Sequence, residues 1–148
     1  MEKFLSYTVI LFLIILLTGC GKKSVTCSGD ITQDDLTASI QVVGDFDKDK
    51  LVNQTIEMKF DLTNYLQYAN IDSFYEGFKN QYDKFNEYDG ISTKVLKGDK
   101  DITIEVSMAF DKIDKDAYKE LDLGTGNVEI SLSKFIDEFT DMGLTCKR

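Results

Sequence analysis

The chain has 148 residues and a formal net charge of −9, from 17 basic and 26 acidic side chains, and it contains no His, Pro or Trp. Without histidine there is no Ser-His or Cys-His dyad, and the commonest zinc ligand is missing. The acidic balance offers no attraction for phosphate backbones, so nucleic acid is excluded as a partner, and no cofactor is expected.

A short polar start, Met1-Glu2-Lys3, leads into a nearly unbroken apolar run over residues 4–17. That run is shorter than the ~20 residues a bilayer-spanning helix needs, and it suits the apolar region of a signal peptide. Leu17-Thr18-Gly19-Cys20 comes next and resembles, residue by residue, the lipobox of bacterial lipoproteins. Small residues before the cut let a peptidase bind the extended backbone closely, and the cysteine thiolate can be alkylated with diacylglycerol. The resemblance implies a signal peptide over residues 1–19 and a mature N-terminus at Cys20 carrying acyl chains such as palmitate. The competing reading is a transmembrane anchor with an incidental cysteine, and the abrupt stop at Gly19-Cys20-Gly21 speaks against it. Each buried methylene adds ~0.8 kcal/mol, so two or three acyl chains anchor stably. The expected location is extracytoplasmic, on a bacterial membrane. Gly21 after the cysteine is not the aspartate of an inner-membrane retention signal.

Residues 20–148 suffice for one hydrophobic core but not for the two hinged lobes of a transporter's binding protein. Residues 20–26 are expected to be the lipidated N-terminus and a short tether, with 21–24 as the tether proper, and 27–148 a single domain. With Cys20 assigned to lipid, Cys27 and Cys146 remain, one near each end. Outside the cytoplasm an even remainder reads as a disulfide, the alternative being two free thiols.

In chain order, a brief strand is expected around Cys27. Another covers residues 37–43, with Ala38, Ile40 and Val42 on one face. Residues 44–50 supply an acidic turn. Over 51–62, strict alternation places Ile56, Met58, Phe60 and Leu62 against Thr55, Glu57, Lys59 and Asp61, the mark of a half-buried antiparallel strand. Ile71, Phe74, Tyr75, Phe78, Tyr82 and Phe85 recur at helical spacing, with Asp72 near the start and Gly90 beyond the end. Strands over 91–96 and 102–110 flank a turn at Gly98-Asp99-Lys100-Asp101. A short helix over 115–122 is capped by Asp114 and stopped at Gly124. A last helix starts at Ser131, carries Leu132, Phe135, Ile136, Phe139 and Met142 as its stripe, and ends at Gly143. Residues 144–147 return Cys146 towards Cys27. The sum is an α+β domain, an antiparallel sheet with helices packed on one face.

At this level the chain resembles the YehR-type family of small bacterial lipoproteins. The resemblance is clearest at Val25-Thr26-Cys27, at Asp89-Gly90-Ile91, across Val128-Glu129-Ile130-Ser131-Leu132-Ser133-Lys134, and at Gly143-Leu144. These are packing and turn residues. They imply a single domain with helices on an antiparallel sheet, and they imply no activity.

Three constellations bear on chemistry. Asp45, Asp47 and Asp49 alternate like the opening of a calcium loop, but Lys50 stands where an EF-hand needs glycine and Ile56 where it needs a bidentate glutamate. A solvated acidic turn explains them better, with a cation site as the alternative. Asp111, Asp114 and Asp116 form a second acidic group, with Asp114 as a helix cap. Gly124-Thr125-Gly126-Asn127 follows a helix and has no lysine, so a phosphate loop is not supported. The leading expectation is a non-catalytic, lipid-anchored envelope domain that binds an envelope protein, a cell-wall component or a small molecule. One alternative is a small-molecule module whose groove is lined by Tyr65, Tyr68 and Tyr88, the tyrosines outside the helical stripe. Another is a carboxylate-based hydrolase, which needs two acids converging in a cleft.

Overall fold

The computed structural model describes residues 21–120 and 129–148. The signal-peptide run, the cleavage site, Cys20 and Gly124-Thr125-Gly126-Asn127 lie outside the described residues.

The first three strands form a meander: β1 (Lys22–Gln33), β2 (Leu36–Asp47) and β3 (Lys50–Asp61). Helix α1 (Ile71–Tyr82) runs on into a 3-10 turn (Asp83–Glu87). The hairpin β4 (Ile91–Lys97) and β5 (Asp101–Ala109) follows, then α2 (Lys115–Glu120), α3 (Leu132–Asp141) and the short β6 (Thr145–Lys147). The strands make a six-stranded sheet in the order β4-β5-β3-β2-β1-β6 among the described residues. Every pairing is antiparallel.

Local chemistry sets the boundaries. The Asn70 side chain accepts from the Ser73 amide and opens α1, two residues ahead of Asp72. Ser131 accepts from the Lys134 amide and opens α3. Gly143, at φ +91°, closes α3: its amide bonds the Thr140 carbonyl, and the Leu144 amide reaches the Phe139 carbonyl. This left-handed cap turns the chain into β6. The Asp114 carboxylate accepts from the Asp116 amide at the start of α2.

Two expectations from sequence need correction. Residues 21–24 are not a free tether, because β1 already begins at Lys22 and pairs with β2 from Lys22 opposite Asp47 to Gln33 opposite Leu36. Nor do residues 44–50 form the turn. β2 continues through Phe46 to Asp47, and only Lys48 and Asp49 turn the chain, with Lys48 at φ 59°. Buried Phe46 supplies the reason, since the strand must extend that far to put its ring into the core.

One face of the sheet carries the core. Beneath α3, Val25, Cys27, Val42, Phe46 and Leu51 pack with Leu132, Phe135 and Leu144. Beneath α1, Leu62, Val95, Ile102 and Ile104 meet Phe74, Tyr75 and Phe78. Between them, Ile91, Met108 and Ile113 pack with Ala117 and Tyr118 of α2. Each large side chain withdrawn from water contributes ~1.5–3 kcal/mol, so the helices are held chiefly by these stripes. The other face presents Ser28, Asp30, Ser39, Glu57, Lys59 and Lys94, as an antiparallel sheet with one solvated side should. Cys27 and Cys146 lie opposite each other in the β1–β6 register and are joined by a disulfide. None of the described helices is long and apolar enough to cross a membrane.

Candidate functional site

The site begins with an irregularity in the sheet. The β2–β3 register shifts between Asp45, opposite Asn53, and Phe46, opposite Leu51, so Val52 is an extra residue. A bulge of this kind frees backbone groups from the ladder. Here they are used at once. The Leu51 amide donates to the Ile130 carbonyl (3.0 Å), and the Phe110 amide donates to the Val52 carbonyl (3.0 Å). The Asp49 carboxylate accepts from the Leu132 amide (3.1 Å). The turn and the bulge therefore fix the entry to α3 on one side and the exit from β5 on the other.

Between these tethers α3 rests on the sheet through Phe135. That ring sits over Gly44, where a Cβ would meet it at 2.7 Å, and it meets Phe46 edge-on with centroids 5.3 Å apart. Gly44 is paired in register with Gln54, and Gln54 with Met108. The helix thus sits tightly over β2 and leaves the next strands less covered. The result is a half-open cleft of about 900 Å³. Its floor is Gln54, Ile56, Met108 and Phe110, with Tyr118 of α2 at one end and Phe139 on the α3 wall. Pockets of this size suit small organic ligands.

Two buried polar side chains line this apolar cleft. Gln54 is 8% exposed and Tyr118 5%. Neither the Gln54 amide nor the Tyr118 hydroxyl has a hydrogen-bond partner among the described residues, and neither polar group is sealed from the cleft, while the Tyr118 ring packs on Phe110 at 6.4 Å. Burial pushes the Tyr118 hydroxyl above its ordinary range, so it stays protonated and able to donate. On the outer rim, Lys134, Asp137, Glu138 and Asp141 of α3 line the opening and are exposed. No ion pair engages those carboxylates among the described residues, and the last turn of α3 has no basic residue.

The residues singled out from sequence fall elsewhere. The Tyr65 hydroxyl donates to the Asp34 carbonyl (2.7 Å) and ties residues 62–70 to the β1–β2 turn. Tyr68 is 82% exposed, and Tyr88 packs beside the Ile91–Met108 cluster. None of the three lines the cleft beneath α3. Asp45 accepts from the Ser24 hydroxyl (2.9 Å), Asp47 is exposed between Lys22 and Lys50 in register, and Asp49 serves α3. Among the described residues there is no group of three or more Cys, Asp or Glu side chains placed to hold a metal ion. Glu57 lies opposite Glu105 on the solvated face, away from the cleft.

Sequence reasoning missed Gln54 and Tyr118. The signal for Gln54 was present: it occupies an inward position in the same alternation as Ile56, Met58 and Phe60. Tyr118 carried none, because six helical residues are too few to define a stripe.

No family model matches the chain, and no curated protein matches it. Two solved structures share its fold. A protein from Streptococcus pneumoniae TIGR4 superposes with a TM-score of 0.58 at 15% identity, over 85% of both chains. The E. coli YehR protein superposes with a TM-score of 0.54 at 15% identity, over 85% of this chain and 92% of that one. The protein is a small α+β domain built like these two bacterial proteins.

Proposed function

We propose that the chain is a non-catalytic, lipid-anchored envelope protein, a distant member of the YehR-type lipoproteins, whose domain binds a small-molecule ligand in the cleft between α3 and strands β3 and β5. The observation that carries the binding reading is the pair Gln54 and Tyr118. Their polar atoms open onto the cleft rather than being sealed from water, and they bond no described protein group. Two polar groups that face an apolar cleft and are not spent on the protein are placed to fix a ligand through hydrogen bonds. The anchor rests on Leu17-Thr18-Gly19-Cys20. The Cys27–Cys146 bridge supports export, since disulfides persist in oxidising compartments. On this reading the domain starts directly at the membrane, because β1 opens two residues after Cys20.

The test uses the full chain in lipid nanodiscs with 3-fluorotyrosine incorporated, the Tyr118 resonance being assigned by its loss in Tyr118→Phe. Titration with 4-phenylbutanol, a soluble neutral probe with an apolar body and one hydroxyl, is expected to shift the Tyr118 fluorine signal saturably. The Tyr68 signal, from an exposed ring, is expected not to move. A Tyr118 signal that never shifts would rule out the binding reading.

A further inference from the structure

We infer that the cleft selects a cationic amphiphile: a small molecule with an apolar body on Ile56, Met108 and Phe110 and a positively charged end at the Asp137, Glu138 and Asp141 rim. This rests on the binding reading above and adds the charge of the ligand.

The inference comes from where those carboxylates stand. They occupy the C-terminal half of α3, which runs from Leu132 to Asp141. A helix C-terminus carries partial negative charge, so acidic side chains there are unfavourable and cations favourable. Asp137 and Asp141 are also spaced i,i+4, and Glu138 and Asp141 i,i+3, so their charges repel along the helix. Local electrostatics would place Lys or Arg here, yet the last turn has none. Lys134, the one cation on the rim among the described residues, lies at helical spacing from Asp137 and Glu138 but within ion-pair distance of neither. Three carboxylates and the negative end of a helix therefore converge on one opening of an apolar cleft. A positively charged ligand group relieves both the repulsion and the dipole conflict. The body of the ligand covers the floor, and a hydroxyl or carbonyl within reach of Gln54 and Tyr118 completes their hydrogen bonding. An anionic amphiphile of the same shape would meet that field with the wrong sign.

The experiment extends the fluorotyrosine titration of the full chain to two probes of matched shape, 4-phenylbutylammonium and 4-phenylbutanoate. The ammonium is expected to bind at least tenfold more tightly, with 4-phenylbutanol between them and the gap narrowing as salt is added. In Asp137→Asn/Glu138→Gln/Asp141→Asn the gap is expected to close while the alcohol binds unchanged. All three positions are exposed, so folding is not at stake. Gln54→Met is expected to weaken the alcohol and the ammonium together. Binding of the alcohol with no charge preference, or a preference that survives the triple substitution, would overturn this inference and leave the binding reading intact. Failure of all three probes would overturn both. A Tyr118 signal that changes on dilution alone would assign the cleft to a second copy of the chain and overturn the small-molecule assignment.

Discussion

Phe135 rests on the bare backbone of Gly44, so that a methyl group there would come within 2.7 Å of the ring and 3.1 Å of Leu51. Both neighbours are buried core residues with little room to give way. Gly44→Ala is expected to lower stability by ~1–3 kcal/mol, the usual range for overpacking a close-packed core. Urea unfolding followed by circular dichroism measures this. An unchanged midpoint would mean that α3 can lift from the sheet at no cost, and that the cleft wall is not fixed.

The disulfide fastens the outermost strand. β6 is three residues long and, among the described residues, pairs only with β1, while the bridge closes a sequence separation of 119 residues. The chain-entropy model gives about 4.7 kcal/mol for a loop of ~100 residues, and measured values are often smaller. Replacing both Cys27 and Cys146 by serine is expected to cost ~2–5 kcal/mol, with reductant producing a comparable drop in the parent protein. Equal denaturation midpoints with and without reductant would contradict this.

Asp49 acts as a cap supplied from outside the helix, accepting from the Leu132 amide across 83 residues of sequence. Asp49→Ala is expected to cost ~0.5–2 kcal/mol, as losses of helix caps do. Asp47→Asn, on an exposed side chain, is expected to stay within about 0.5 kcal/mol of the parent. Thermal melts of the two variants distinguish these roles. Calcium is expected to leave the parent Tm where it is, because Asp45 and Asp49 are already engaged by Ser24 and Leu132. A calcium-dependent rise that Asp47→Asn removes would restore the cation site.

Asp61 reports on pH. The Thr63 hydroxyl donates to its carboxylate (2.6 Å), as does the Thr63 amide (2.9 Å). These bonds favour the charged form and hold its pKa below the ordinary aspartate value of 3.8, with Lys100 and Lys59 adding smaller effects. A folded pKa below the unfolded one means that this contribution is present above about pH 4 and is lost as pH falls through the folded value. Thr63→Val is expected to move the Asp61 titration upward, as read by carboxyl-carbon NMR. An unmoved titration would show that the residue-63 amide and the lysines hold the value down without the hydroxyl.

The sequence was most legible where period and burial coincide. Alternation in β3 and β5 marked two strands, and the stripes of α1 and α3 marked two helices. β1 was harder to read, because its stretch from Lys22 to Gln33 offers only Val25, Cys27 and Ile31 as large apolar or sulfur side chains on the inner face. Such a strand is recognisable only through its pairing with β2. The β1–β2 turn was hidden for another reason. Asp34 and Asp35 both adopt positive φ, at 49° and 65°, a geometry that Asn-Gly would have signalled. Tyrosines outside the helical stripe suggested a groove, but Tyr65 is spent on tying a loop to the Asp34 carbonyl. The cleft depends instead on how α3 is offset by Gly44, a three-dimensional relation with no local pattern.

The most direct test of the account is the intact mass of the protein purified from its native membrane. The expected result is a chain beginning at Cys20 and carrying two or three acyl groups, with Cys27 and Cys146 resistant to thiol labelling until reductant is added. An unlipidated chain that retains residues 1–19 would contradict the anchored envelope protein proposed here.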